Sequence, residues 1–430
     1  MTDPFCDISF DEKISIYSYD FLKCFVYINE INSDYIFTKK LYSRLIATSH
    51  LLEDFLDFHG AKHNKSWCYF RELASCVRYL SLAGYSLRHI SNRLHHYELS
   101  DEGDFKESGD ETVKFLVDSM RNLAPVILEN ASKLNIPIPK GVFDHANFPG
   151  VVTSYQLDYD IDDTNIEEQR EHIVKISSEF LSISKSFGHF TFFKPYETNE
   201  IKEIIPLKVN EIGIRRFEML FHNLQSSYDS YVSHSGGNKQ LKQLRDYLSI
   251  IFHLLQIMGR FLHLYEQRFH DVGYKSAYNE ILENLSKHVD LNILLDRIVN
   301  YGLYYVCFFI NSGQTIARET LNNNIEKDTI KVGIPVTRGF HSRPSLMVAK
   351  IVQHFGGKVE LYVGGDKFDA GSVLDIQWAG GKIQKENITE VEFKGDSRAL
   401  HDIKILASVN YGEDSMGKGI ALPKELKYLK

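Results

Sequence analysis

Cysteine is scarce in this sequence and follows no pattern. The 430 residues include five cysteines, whose odd number and spacing fit neither a disulfide framework nor a metal site. We therefore expect reduced thiols, no metal or cofactor, and a cytoplasmic protein. The five positions are Cys6, Cys24, Cys68, Cys76 and Cys307.

Basic clusters and long apolar runs are missing as well. The formal net charge is −8 and no block of Lys and Arg stands out, so we expect no nucleic-acid partner. The most apolar run, residues 301–310, is far shorter than the roughly 20 residues that span a bilayer. It predicts a buried core helix, and we expect no membrane insertion. Residues 1–13 carry acidic side chains where a signal peptide would be basic.

Helical periodicity dominates the chain up to residue 320. Apolar side chains recur every three and four residues in six segments, which predicts a large all-α helical bundle over residues 1–320. Three prolines mark a place near residues 140–160 where the bundle could divide into two sub-bundles. The acidic residues 100–111 are interpreted as a solvated connection. The six segments are residues 35–58, 67–97, 166–187, 212–232, 241–269 and 291–309.

The pattern changes after residue 320. Residues 321–327 are interpreted as a linker, residues 328–410 as a small α+β domain, and residues 411–430 as a Gly-rich extension. Alternation with a period of two predicts strands, and capped apolar runs predict helices. The predicted order is strand 330–334, helix 344–355, strand 359–363, strand 367–369, helix 372–381, strand 388–393 and a last helix after Asp396. This β-α-β-β-α-β-α order predicts helices packed on one face of a sheet.

Residues 339–344 read Gly-Phe-His-Ser-Arg-Pro at the start of the first helix of this domain. Proline is tolerated in the first turn of a helix, where the free N–H groups attract anions. The pattern therefore places the imidazole of His341 at an anion site formed by Ser342 and Arg343. Such a group can accept a phosphoryl group, because phosphoryl transfer needs positioning and charge stabilisation more than covalent help.

The motif and the element order together resemble the HPr family, the histidine phosphocarriers of the phosphoenolpyruvate-dependent sugar phosphotransferase system. The resemblance covers roughly residues 328–409 and implies an open-faced α+β sandwich. It implies that His341 takes a phosphoryl group on Nδ1 from an enzyme I-like donor and passes it to an acceptor protein. It also implies that Arg343 stabilises the bound phosphate.

One segment departs from the family. In the family's Gram-positive branch a regulatory serine lies within a Lys-Ser-Ile-Met-Gly-like stretch, and here Ser372 occupies that position between Gly371 and Val373. Ser372 is interpreted either as a kinase target or as a plain helix N-cap. The segment belongs to the surface with which HPr proteins dock enzyme I, so its altered residues leave the identity of the phosphoryl donor open.

Two further motifs are set aside. Residues 412–418 have the spacing of a phosphate-binding P-loop, but Gly419 lacks the hydroxyl that would hold Mg²⁺. Thr48, Ser49 and His50 resemble the phosphorylation site of enzyme I without its flanking glycines. The sequence is thus predicted to encode a phosphocarrier or a phosphorylation-dependent regulator. The alternatives are an HPr-like scaffold that only docks partners and a helical enzyme regulated by its tail, for which residues 1–320 show no catalytic set.

Overall fold

The computed structural model describes residues 8–99, 102–151, 157, 166–190, 192, 194–232, 239–270 and 276–429. A large helical region is followed by a small α+β region with one four-stranded sheet. The chain forms two compact units. The first comprises Met1–Ile161, His189–Asn223 and Asp246–Ile310. The second comprises Asp162–Gly188, Leu224–Arg245 and Asn311–Lys430, so it contains helical segments as well as the sheet.

The helices of the helical region are mostly long. Short 3₁₀ turns connect several of them, and π-helical turns follow two of them. In chain order they are α1 (Phe10–Glu30), α2 (Lys39–Phe58), α3 (Cys68–Arg93), α4 (Glu102–Lys133), α5 (Ile166–Phe187), α6 (Thr198–Ile204), α7 (Glu211–Tyr231), α8 (Lys239–Leu264), α9 (Ser276–Ser286), α10 (Leu291–Asp296) and α11 (Tyr304–Asn324).

The prediction of a solvated connection over the acidic residues 100–111 is wrong for residues 102–111, which belong to α4. The reason is Phe105, which is buried and packs against Tyr301, Tyr305 and Phe309 with ring centroids 4.9 to 5.9 Å apart. Burying one phenylalanine side chain stabilises by about 1.5–3 kcal/mol, enough to hold a helical turn that is otherwise polar.

Two helical stretches, Lys239–Phe269 and Leu291–Asn324, are long and apolar enough to cross a membrane by length and composition. Their most apolar windows are 72% and 67% buried inside the protein, as in the core helices of soluble proteins. The run at residues 301–310 lies within the second stretch, and most of its side chains are buried.

The α+β region has the predicted element order. Its strands form one antiparallel sheet in the order β1-β4-β2-β3. The elements are β1 (Lys327–Gly333), α12 (Ser342–Phe355), β2 (Val359–Val363), β3 (Asp366–Asp369), α13 (Val373–Glu386), β4 (Glu390–Asp396) and α14 (Ser397–Ser408).

The alternation of apolar and polar side chains along the strands determines which face of the sheet the helices cover. Val359, Leu361 and Val363 are buried and share a core with the apolar residues of α12, α13 and α14. The side chains between them are polar or amphipathic, and Glu360 on this other face binds the ammonium groups of Lys358 and Lys367 at 2.9 and 2.6 Å. Burial raises the pKa of the Glu360 carboxyl, but hydrogen bonds from both lysines outweigh it and hold that pKa at about 2.

Several boundaries differ from the sequence-based prediction, among them those of β1 and β4 and of three helices. Helix α11 continues to Asn324, so the first half of the predicted linker 321–327 is helical. Helix α12 begins at Ser342, two residues before the predicted start. Helix α13 continues past its two glycines to Glu386, and its C-cap residue Asn387 takes the left-handed conformation (φ 52°).

Candidate functional site

The N-terminus of α12 is fixed by the residues that precede it. Arg338 and Gly339 both have φ near 60°, and this turn buries Phe340 in the domain core. The Phe340 ring meets Tyr411 edge-on at 5.1 Å. His341 then occupies the N-cap position, but its side chain makes no capping hydrogen bond. The imidazole is therefore available for another purpose.

Donors for an anion are present at this helix end. The N–H groups of Ser342 and Arg343 lie in the first turn, where a helix offers them no acceptor, and Pro344 has no N–H. The hydroxyl of Ser342 accepts a hydrogen bond from Gln377 of α13 at 3.2 Å. That contact ties the first turn of α12 to the neighbouring helix.

The C-terminal extension lies against His341. Glu413 Oε2 is 3.0 Å from His341 Nε2, and the Glu413 side chain is 1% exposed while that of His341 is 32% exposed. The second carboxylate oxygen, Oε1, is buried and makes no hydrogen bond with any residue that the structure describes. A buried polar atom left in this way is unusual and calls for an explanation.

Arg343 lies over the same extension. A Cβ atom placed on Gly419 would fall 2.7 Å from the Arg343 Cζ, so the guanidinium rests on the glycine backbone. Within the described part of the chain no carboxylate lies within ion-pair distance of Arg343, which is an exposed residue. The guanidinium is thus held by packing and remains available to an anion.

Ser372 is the N-cap of α13. Its hydroxyl accepts a hydrogen bond from the Asp375 N–H at 3.3 Å and donates one to the Asp375 carboxylate at 3.1 Å. The geometry is that of a plain cap, one of the two interpretations left open by the sequence.

Of the two motifs set aside, one lies in a hairpin and the other lies inside a helix. Residues 412–418 form part of a tight hairpin in the extension, with Glu413 bridged to Gly419. In the described residues that follow, the chain forms only a short 3₁₀ helix, Lys424–Leu429, and not the α-helix that a P-loop requires. Thr48 and Ser49 lie inside α2 and bond to its carbonyl groups, while His50 pairs with Asp54 at 2.9 Å.

The helical region contains a buried charge network that the sequence did not reveal. Arg71 of α3 binds Glu53 of α2 at 2.9 Å and Glu72 at 3.1 Å. Glu72 lies 2.7 Å from Arg268, a close ion contact in which the N–H does not point at the oxygen. All four side chains are at most 10% exposed. Arg71 and Glu72 lie within the predicted helical segment 67–97, but periodicity gives no sign that their charges are paired in the core.

A second polar cluster lies on α7 and α8. His263 Nδ1 is 2.8 Å from Glu211 Oε2, and the imidazole stacks on Tyr79 with centroids 4.0 Å apart. Burial lowers the pKa of His263 despite the nearby Glu211 carboxylate. Among the described residues no group of three or more His, Cys, Asp and Glu side chains could hold a metal ion.

His341, Ser342 and Arg343 lie together at the start of α12, and their role as a phosphoryl site stays a prediction. Glu413 was missed, since a single glutamate in a Gly-rich extension carries no pattern. Comparison with family models, with curated proteins and with solved structures gives no match for this chain. The function of the site is therefore argued from its own chemistry.

Proposed function

We propose that the C-terminal region is an HPr-like open-faced sandwich and that His341 accepts a phosphoryl group and passes it on. The chain then acts as a cytoplasmic phosphocarrier or phosphorylation-dependent regulator, and an enzyme I-like protein is the donor. The element order and the helices on a single sheet face support the fold. They agree with the resemblance of the Gly-x-His-x-Arg-Pro motif.

One observation carries the proposal. His341 occupies the N-cap position without capping the helix, and its ring is partly exposed. Within the described residues its Nδ1 makes no hydrogen bond, because the only ring contact is at Nε2. A nitrogen with a free lone pair thus belongs to the residue that directly precedes the first turn of α12, where the N–H groups of Ser342 and Arg343 and the Arg343 side chain are the anion donors that the proposal uses.

The chemistry of the site fits a reversible transfer. The Nδ1 lone pair forms a bond to phosphorus while the bond between phosphorus and the donor breaks, and that electron pair leaves with the donor. The N–H groups of the first turn and the Arg343 guanidinium then face the phosphoryl oxygens. Transfer to an acceptor reverses these steps and restores the neutral imidazole.

The direct test is incubation of the full chain with phosphoenolpyruvate and enzyme I, followed by a search for acid-labile phosphate. We expect label on the wild type and on His401→Ala, which changes an exposed histidine of α14. We expect none on His341→Ala. Absence of label on the wild type, or equal label on His341→Ala, would overturn the proposal.

A docking scaffold is the second candidate, and two exposed side chains favour it. Leu374 and Trp378 lie one turn apart on α13 and are 62% and 68% exposed. Large apolar side chains exposed together often mark a binding surface. A scaffold predicts that Trp378→Ala abolishes function while His341→Ala leaves it intact, which is the opposite of the pattern expected for a carrier.

A further inference from the structure

The buried carboxylate of Glu413 contacts the imidazole of His341. Glu413 Oε2 lies 3.0 Å from Nε2. An ionised carboxylate only accepts hydrogen bonds, so Nε2 is the donor. The neutral ring then carries its proton on Nε2 and its lone pair on Nδ1. The nitrogen left free by this contact is the one that the HPr resemblance implies as the phosphoryl acceptor.

The backbone before Glu413 is bent to deliver this carboxylate. Asn410, Tyr411 and Gly412 have φ values of 48°, 55° and 79° in succession. Tyrosine disfavours this left-handed conformation, which persists only where the surroundings enforce it. Here the Tyr411 ring is buried and its hydroxyl donates to the Gly333 carbonyl at 2.7 Å. The position of Glu413 is therefore set by the domain core.

The hairpin after Glu413 holds the same position from the other side. The Ile420 N–H donates to the Gly412 carbonyl at 3.0 Å, and the Asp414 N–H donates to the Lys418 carbonyl at 2.8 Å. The Thr337 hydroxyl donates to the Ser415 carbonyl at 3.2 Å, which joins the hairpin to the loop that leads to His341. Glu413 and His341 are thus parts of one fixed arrangement.

The unpaired Oε1 of Glu413 indicates that this contact favours a cationic imidazole over a neutral one. A buried carboxylate with an unpaired oxygen is costly while its partner is a neutral ring. When Nδ1 bonds to phosphorus and Nε2 keeps its proton, the ring becomes cationic. The carboxylate then faces a positive charge, and their attraction is strengthened because the Glu413 side of the contact is buried.

We propose that Glu413 is a positioning residue that holds His341 as the Nε2–H tautomer and stabilises the cationic phosphoimidazole. This inference rests on the proposed phosphocarrier function and adds a role for the C-terminal extension. In the transfer step no proton moves. Nδ1 supplies the electron pair for the new bond to phosphorus, the leaving group of the donor takes the old one, and Glu413 balances the charge gained by the ring.

The tautomer can be measured without any phosphoryl donor. In the full chain labelled with ¹⁵N-histidine, the His341 ring signals are identified by their absence from His341→Ala. We expect protonated Nε2 and unprotonated Nδ1 in the neutral wild-type ring. In Glu413→Gln we expect a mixture of tautomers, because an amide can either donate to Nε2 or accept from it. A wild-type ring protonated on Nδ1 would overturn the inference, whatever the variants do.

The effect on phosphorylation is measured with phosphoramidate, a small phosphoryl donor that needs no partner protein. We expect the wild type to form the Nδ1-phosphorylated isomer, identified by ³¹P resonance. Glu413→Gln is expected to form it about 10- to 100-fold more slowly, the worth of one charge-assisted hydrogen bond. Glu425→Gln, an exposed change in the same extension, is the matched control and should behave as wild type.

The outcomes separate the two proposals. Unchanged rate, isomer and tautomer in Glu413→Gln would overturn the role of Glu413 even if enzyme I labels the protein. Labelling by phosphoramidate that depends on Glu413, without labelling by enzyme I, would support the role of Glu413 and count against a phosphotransferase relay. A general loss of structure in Glu413→Gln would show in its unfolding curve, and the wild-type tautomer then decides.

Discussion

Replacing Gly419 by alanine should displace the Arg343 guanidinium while leaving the stability of the domain almost unchanged. The new Cβ would overlap the guanidinium, with Cζ at 2.7 Å and Nη2 at 3.0 Å. Nη1 is the guanidinium atom nearest to the new Cβ, and non-bonded atoms prefer about 3.5–4.0 Å, so the guanidinium has to retreat by about 1.5–2 Å. Since the clash involves the far end of an exposed, flexible side chain, the free energy of unfolding should change by no more than about 0.5 kcal/mol.

The functional effect of Gly419→Ala should be larger than the effect on stability. A charge-assisted hydrogen bond is worth about 1.5–3 kcal/mol, so displacing Arg343 should slow phosphohistidine formation by about 10- to 100-fold. The assays are labelling by phosphoramidate and urea unfolding. Gly381→Ala is the matched control, because a Cβ there meets nothing within 4 Å.

A double-mutant cycle sharpens this test. If the glycine acts through the guanidinium, Arg343→Ala should slow labelling by a similar factor, and Gly419→Ala should add nothing in the Arg343→Ala background. Wild-type labelling by Gly419→Ala, or full additivity of the two changes, would refute the reasoning.

Three further predictions concern the folded state. Arg71→Met should lower the free energy of unfolding by about 1.5–3 kcal/mol in urea, because the buried carboxylates of Glu53 and Glu72 each lose one of their arginine partners and keep only Arg78 and Arg268. Arg44→Met, which breaks a half-exposed pair, should cost about 1 kcal/mol or less, and equal losses would contradict this account. Gly395→Ala should unfold the α+β region at lower temperature by calorimetry, since φ is +149° and the Cβ would overlap the Lys358 carbonyl oxygen. Folding lowers the pKa of Glu360 to about 2, so its ion pairs stabilise the fold fully above about pH 4.5 and are lost as the pH falls toward 2. In Glu360→Gln the free energy of unfolding should therefore fall less steeply with pH in that window, as measured by acid unfolding.

Periodicity in the sequence indicated most of the elements, but none of the six predicted helical segments covered α1 (Phe10–Glu30) or α4 (Glu102–Lys133). Alternation at Val359, Leu361 and Val363 marked a strand with one buried face, and the structure has that strand. Apolar spacing likewise predicted long helices before residue 320 and the order of elements after it. Local pattern could not place α4 over the acidic residues 102–111, because that helix depends on Phe105 meeting aromatic residues nearly two hundred positions away.

The candidate site, like the fold, could be predicted from the sequence only in part. His341, Ser342 and Arg343 are neighbours in the sequence, so the chemistry of a helix N-terminus could be inferred from the motif alone. Glu413 comes 72 residues later and reaches the imidazole only because three left-handed residues and a buried tyrosine turn the chain back. The sequence by itself determined which nitrogen-bearing side chain stands at the N-terminus of α12. Only the tertiary structure decided which of its two nitrogens is left free, because that choice depends on a carboxylate positioned by the packed core.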